Sequence, residues 1–355
     1  MSAATHPTTI HPTAVVSPGA RIGFDCFIGP YCVVGDDVQL GDGVRLESHC
    51  VIDGHTSIGA ATHVFPFVSI GLASQDLKYK GEPSETRIGE RNKIREFVTI
   101  HRGTAGGGML TKIGYDCFIG PYCIVGADVE LGDGVRLESH CVVDGRTSIG
   151  AATQVFPFVS IGLASQDLKY KGEPSETRIG ERNKIREFVT IHRGTAGGGM
   201  LTKIGDDCLI MAQAHIAHDC LIGDGVIMAN AATLAGHVII EDRANIGAYS
   251  GVHQFCRVGK EAYIGGYSVV VKDALPFALT VGNHAKCYGL NITGMKRRDY
   301  SRAAIDALHH AFHLLLSAKL NTTQAVDRIK EEIKDSAEVS DLLRFIEKSD
   351  RGVTK

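Results

Sequence analysis

Small aliphatic residues recur at every sixth position, and that period constrains the fold more than any other feature of the chain. Ile10, Val16, Ile22, Ile28, Val34, Leu40, Leu46, Ile52, Ile58, Val64 and Ile70 lie on one lattice without a slip. The phase is lost after Ile70 and resumes at Ile88, Ile94 and Ile100. From Ile204 it runs unbroken through Ile216, Met228, Leu234, Val252 and Ile264 to Val270. Neither an amphipathic helix nor a lone strand repeats at six; a hexapeptide β-helix does. Three hexads make one triangular coil with the aliphatic side chains pointing into a narrow core, and coils stack about 4.8 Å apart. Glycine often follows the aliphatic residue, as at Gly23, Gly29 and Gly59, where a corner calls for a small residue or a positive φ. The expected fold class is mainly β, a parallel β-helix.

A second repeat lies on top of the first. Residues 22–112 recur as 113–203 with seven differences: Phe24/Tyr115, Val33/Ile124, Asp36/Ala127, Gln39/Glu130, Ile52/Val143, His55/Arg146 and His63/Gln154. The lattice breaks inside each copy mark two long connections, and without them the segment amounts to four whole coils. A tandem duplication of this kind lengthens the prism without rotating one end against the other. The connections are a polar run, SQDLKYKGEPSET at 74–86 and 165–177, and a glycine-rich run, GTAGGGML at 103–110 and 194–201. The glycine run lacks GxxxxGK[ST] and a following helix, so it reads as a flexible excursion from a corner and not as a phosphate loop.

Composition excludes several classes. The 42 glycines, spread without a collagen period, suit many tight corners. A net charge of −3 gives no reason to expect nucleic acid or a membrane surface as a partner. No run of eighteen apolar residues implies a membrane span, and the N-terminus lacks the pattern of a secretory signal, so a cytoplasmic location is expected. The ten cysteines form no CxxC pair and read as small apolar residues on coil walls.

From about Asn291 the texture becomes helical. Ser301 is a candidate N-cap for RAAIDALHHAFHLLLSAKL, whose Ile305, Leu308, Phe312 and Leu315 share one face. Two shorter amphipathic segments follow, around 323–334 and 337–348. The expected organisation is a β-helix over 1–290 and a helical domain over 291–355 that caps its open end.

Histidine is concentrated at His215, His218, His237 and His253, with His284 further on. On an eighteen-residue coil, His218 lies one coil below Gly236 and His237 and two below Gln254. His218, His237, His253 and Gln254 are all off the inward position. They therefore point outward near one edge, where imidazoles titrating close to neutral pH suit acid–base work.

At this point the sequence resembles a known family. AHIAHDC at 214–220, AATLAGHV at 231–238, VHQF at 252–255, GNHA at 282–285, NITGMKRRDYSR at 291–302 and the QDLKYKGEP loop look together like the UDP-N-acetylglucosamine acyltransferases of lipid A biosynthesis. The resemblance covers the chain once one copy of the 91-residue segment is removed. It implies left-handed coils, here lengthened by about four, a homotrimer with active sites between subunits, and no metal or other cofactor. The implied reaction moves an (R)-3-hydroxyacyl group from the phosphopantetheine of acyl carrier protein to the 3-hydroxyl of UDP-N-acetylglucosamine. Carried over by motif, His218 is the general base, Asp219 a candidate to orient it, and Gly236 the backbone donor to the oxyanion. His215, His237, His253, Gln254 and His284 line the acyl-sugar cleft. Asn291, Arg297 and Arg298 hold the nucleotide end, with Thr293 where some relatives carry an acidic residue, and Gly266 is the acyl-length ruler of a groove left open for a long chain. Gln166, Asp167 and Lys169 belong to the working copy of the long loop. In the first copy, Ile124 and Ala127 stand where the histidines would be, so Asp76 and Lys78 face no base.

Two other readings compete. Trimeric hexapeptide β-helices can hold zinc through histidines as hydratases, although the KRR segment, helical tail and long loop have no use there. The lengthened chain can also be a scaffold without activity.

Overall fold

The computed structural model describes residues 7–75 and 79–355, which fall into two compact units, the first within 1–202 and the second over 203–355. Asp76 and Lys78 lie outside the described residues.

In the first unit, short parallel strands are laid in turn on three sheets, so each coil has three faces. The first face begins at Thr9–Ile10, the second at Val15–Val16 and the third at Arg21–Ile22. Ladder partners are eighteen residues apart, as Ile10 with Ile28 and Arg45 with His63. The two long connections stretch the step, and the first face keeps its register: His63 pairs with Lys93, and Lys93 with Phe118, while the second face shifts between Ile70 and Leu72. Four steps thus lead from Phe27 to Phe118, its counterpart 91 residues on.

The lattice residues are the core. Ile28, Val34, Leu46, Ile52, Val64 and Ile70 are fully buried, each removal from water contributing about 1.5–3 kcal/mol. Most polar inward groups are satisfied, although among the described residues the buried Thr86 and Thr177 hydroxyls meet no partner. Asn92 donates from Nδ2 to the carbonyls of Gly89 and Gly114 at 2.9 Å, and its Oδ1 accepts from the Cys117 N–H at 2.7 Å. All ten cysteines are free and nine are buried, most with thiols directed at carbonyls, as Cys26 to Gly41 at 3.2 Å.

At the corners the small-residue half of the expectation holds. Gly23, Gly29 and Gly59 have ordinary φ, and what requires glycine is space: an added Cβ would stand 2.5–2.9 Å from the next coil. The positive φ falls two residues later on non-glycine residues such as Asp25, Tyr31, His49, Ala61 and Phe67. That conformation costs roughly 1–2 kcal/mol per residue. Most of these residues are offset by a main-chain bond to the coil before, as His49 N–H to Pro30 O at 2.9 Å. At the corner between the first and second faces their side chains form a ladder of eight rings, Tyr31, His49, Phe67, Phe97, Tyr122, His140, Phe158 and Phe188. Centroids are 4.7–5.1 Å apart, and the phenylalanines and tyrosines of the ladder are exposed.

Both long connections leave the corner between the second and third faces, after Ser69–Leu72 and Thr99–His101. The glycine-rich one is not an open excursion. It turns through Ala105–Gly107, Met109 N–H closes on Thr104 O at 2.8 Å, and Thr104 donates from N–H and Oγ1 to the Asp128 carboxylate.

The second unit has the same three-faced coil. Its first face holds Leu209–Ile210, Ile227–Met228, Asn245–Ile246 and Tyr263–Ile264, and ends in an antiparallel hairpin, Ala278–Gly282 with Ala285–Leu290. Its second face holds His215–Ile216, Thr233–Leu234, Gly251–Val252 and Val269–Val270; its third holds Leu221–Ile222, Ile239–Ile240 and Arg257–Val258. Four helices follow: α1 (Ile292–Arg297), α2 (Arg302–Leu316), α3 (Thr322–Glu332) and α4 (Ala337–Glu347). Ser301 caps α2 by accepting from the Ala304 N–H at 3.1 Å. Leu308, Phe312 and Leu315 of α2 pack with Ile329, Leu342 and Phe345 against Leu275 and Phe277 at the end of the coil, with Ile305 partly buried beside them. Among the described residues no helix is long and apolar enough to cross a membrane.

Candidate active site

The corner between the second and third faces of the second unit repeats one turn three times. Ile216, Leu234 and Val252 point inward, and the residues after them turn outward. The second residue of each turn is His218, Gly236 or Gln254. The third, at positive φ, is Asp219, His237 or Phe255. Stacking on the coil therefore brings these six side-chain positions into two adjacent columns.

His218 Nδ1 lies 2.8 Å from Asp219 Oδ2. The Asp219 side chain is fully buried, against 16% exposure for His218. A carboxylate only accepts, so Nδ1 carries a proton and donates, and in the neutral ring Nε2 then has the lone pair. His237 Nδ1 is 4.0 Å from the same oxygen. The His237 ring meets His218 edge-on at 5.1 Å and stacks on Phe255 at 4.4 Å, which fixes its plane.

Gly236 lies directly against the base: a Cβ there would stand 2.5 Å from His218 Cε1 and 2.6 Å from Nε2. Among the described residues its N–H meets no acceptor. The coil has no need of that donor, because proline fills the same turn position at Pro30, Pro66, Pro121 and Pro157. A free N–H beside an imidazole is the arrangement that stabilises an oxyanion formed next to a base.

His215 is half-buried, and its pKa is held below the ordinary histidine range by burial and then by His218. His253 and Gln254 are exposed, with His253 Nδ1 3.1 Å from Gln254 O. His284 is exposed in the turn of the terminal hairpin. Gly266 is not at this corner; it lies on the one between the first and second faces, where an added Cβ would meet Ala248 O at 3.3 Å. Gln166, Asp167 and Lys169 belong to the first unit, where the Asp167 Oδ1 accepts from the Lys169 N–H at 2.9 Å and shapes the loop.

Asn291, Arg297 and Arg298 line a cavity of about 550 Å³ with Ile227, Asn245, Tyr263, Leu279 and Thr293. It opens on the first face of the second unit, and that face is opposite the histidine corner in a three-sided coil. Sequence reasoning missed Asn245 and Tyr263 here, although their eighteen-residue spacing from Ile227 marks them as one outward column. It also missed Phe255 behind His237.

His218, Asp219 and His237 are the described residues whose donor atoms, all within 4.8 Å of one another, could hold a metal ion. The hydratase reading would draw on these three alone.

A curated acyl-[acyl-carrier-protein]–UDP-N-acetylglucosamine O-acyltransferase of Thermodesulfovibrio yellowstonii is 49% identical over 244 residues, 69% of this chain and 95% of that protein. The chain belongs to the UDP-N-acetylglucosamine acyltransferase family. The model of that family's second domain matches residues 273–354, and the bacterial transferase hexapeptide model matches 19–54, 110–145 and 201–236. Among solved structures, the Francisella novicida UDP-N-acetylglucosamine acyltransferase aligns with a TM-score of 0.66 at 35% identity, over 68% of this chain and 90% of that one. The Moraxella catarrhalis enzyme aligns at 0.56 and 31% identity over 98% and 99%. The chain has the family's left-handed parallel β-helix followed by a short helical segment. Almost all of the Thermodesulfovibrio protein is accounted for by about two thirds of this chain.

Proposed function

We propose that this protein transfers an (R)-3-hydroxyacyl group from acyl carrier protein to the 3-hydroxyl of UDP-N-acetylglucosamine, with His218 as the base. The observation that carries the reading is the corner of His218, Asp219 and Gly236: an oriented imidazole with a free Nε2 beside an unused N–H. His218 Nε2 accepts the proton of the sugar hydroxyl as its oxygen attacks the thioester carbonyl. The new C–O bond gives a tetrahedral oxyanion facing the Gly236 N–H, and the buried Asp219 carboxylate stabilises the imidazolium meanwhile. Collapse breaks the C–S bond, and the phosphopantetheine thiolate leaves with the proton from His218. Asn291, Arg297 and Arg298 bind the nucleotide end, where guanidinium groups match phosphate oxygens. His215, His237, His253, Gln254 and His284 line the cleft, and Gln166, Asp167 and Lys169 contribute from the long loop. Gly266 leaves the acyl groove open for about fourteen carbons, a length taken from the family resemblance.

The working assembly is a homotrimer with shared sites. What supports this is the placement of the base and the nucleotide cavity on opposite sides of one coil, so that one protomer cannot present both to one substrate. The exposed ladder of eight rings in the first unit is an apolar stripe suited to burial between copies. Residues 1–290 form the β-helix and 291–355 its helical cap. The copies 22–112 and 113–203 are a tandem duplication that adds inert length, and the enzyme works in the cytoplasm.

Mixed trimers test the shared site. His218→Ala and Arg297→Ala, each deficient alone at low UDP-N-acetylglucosamine, are expected to regain activity when co-expressed, because some interfaces then pair an intact base with an intact nucleotide cavity. Mixtures no better than the two parents would overturn it.

A further inference from the structure

The nucleotide cavity depends on α1, and α1 spans only six residues. Helices of that length do not hold themselves in water, so their placement comes from contacts at their ends. Both ends of α1 are tied to one residue of the coil. Asn291, the N-cap, accepts from the Gly294 N–H at 3.1 Å and donates from Nδ2 to the main-chain oxygen of Glu261 at 3.1 Å. Arg298, the C-cap, donates from Nη1 to the Glu261 carboxylate and to Arg243 O at 3.1 Å.

Glu261 itself is unusual for this coil. Its side chain is 1% exposed, and it occupies a corner position at positive φ, with its N–H on Asp242 O at 3.0 Å. A buried carboxylate is strongly disfavoured unless its charge and lone pairs are matched. Arg298 matches it, Arg243 Nη1 approaches Oε1 at 3.5 Å, and the Tyr300 hydroxyl donates to Oε1 at 3.4 Å. Burial and the neighbouring carboxylate push the Tyr300 phenol up to about 12, so it stays a donor. Glu261 is not among the residues lining the cavity. Whatever it does for the ligand, it does through the caps of α1.

We propose that Glu261 is a positioning residue for the nucleotide end of the acceptor, holding both caps of α1 so that Asn291 and the arginines face the cavity. The inference rests on the cavity being the nucleotide subsite. Glu261→Gln keeps the shape and the main-chain bond to Asn291 but removes the charged grip on Arg298. Its KM for UDP-N-acetylglucosamine is expected to rise roughly tenfold, the scale of a lost hydrogen bond to a charged group, with kcat nearly unchanged. Amide hydrogen exchange across 292–297 should quicken while Tm holds. In an Arg298→Gln background the same change should add nothing further. An unchanged KM and exchange rate, or penalties that add in the double variant, would overturn the proposal. Should the glutamine variant lose its fold, Glu261→Asp, which keeps the charge and shortens its reach, is expected to give the same pair of effects at smaller scale. A wild-type protein that transfers nothing to UDP-N-acetylglucosamine would sink the reading of the cavity, and exchange at α1 would still decide the clamp.

Discussion

At the residue scale, the proposed catalytic corner turns on what glycine permits. Gly236→Ala places a Cβ within 2.6 Å of His218 Nε2, so either the imidazole moves or the coil opens. The expected result is a loss of kcat of roughly a hundredfold, the scale of a lost oxyanion donor or a displaced base, with a small change in Tm. A kcat near that of wild type would show that the imidazole has another place to work from. Asp219→Asn leaves the hydrogen bond possible but favours the wrong tautomer of His218, and kcat should fall again by roughly one to two orders of magnitude. His215 supplies a pH test. Its folded-state pKa lies below its ordinary value, so the unfolded chain binds the proton first. The associated stability is present above the ordinary pKa and is lost as pH falls through the lowered one. His215→Gln should flatten the fall in urea midpoint between pH 7 and pH 5. The same fall in both proteins would place its origin elsewhere.

At the element scale, the hexad period disclosed the strands, the inward residues and the edge on which the histidines meet, because inward and outward positions repeat with the coil. It left the corner chemistry hidden. Six-fold counting does not say which of the outward residues takes a positive φ, and Tyr31, His49 and Phe67 adopt it. Nor does it show that Thr104 folds the glycine-rich segment onto Asp128, since that contact joins residues with no shared motif. Glu261 was invisible for a related reason: its partners Asn291 and Arg298 lie thirty or more residues away. The stacked coils do make a prediction about thiols. Burial pushes Cys117 and Cys208 up to about 11 and Cys220 up to about 12, so these three should resist dithionitrobenzoate at pH 8 until the protein is unfolded. Fast labelling of any of them in the native protein would mean that the coils open.

At the scale of the whole molecule, the repeated segment matters through its length. Four ladder steps separate Phe27 from Phe118, so deleting residues 22–112 joins Arg21 to Ile113 with every later strand still on its own face. Nearest-neighbour packing tolerates such a cut. The shortened protein is expected to fold, to show the mass of the proposed trimer by light scattering, and to keep kcat within roughly threefold, because residues 165–177 and His218 are both retained. Deleting residues 22–118 instead moves every later strand back by one face and should give aggregate. If both deletions behaved alike, the coil register would not govern the fold.

The reaction is tested most directly with (R)-3-hydroxymyristoyl-acyl carrier protein and UDP-N-acetylglucosamine, following thiol release and ester formation together. One thiol is expected for each ester at the 3-hydroxyl, with kcat lower in His218→Ala by roughly 10²–10⁴, the range for a lost general base. A folded protein that releases no thiol, or a His218→Ala variant that turns over at the wild-type rate, would contradict both the reaction and the base assigned to it.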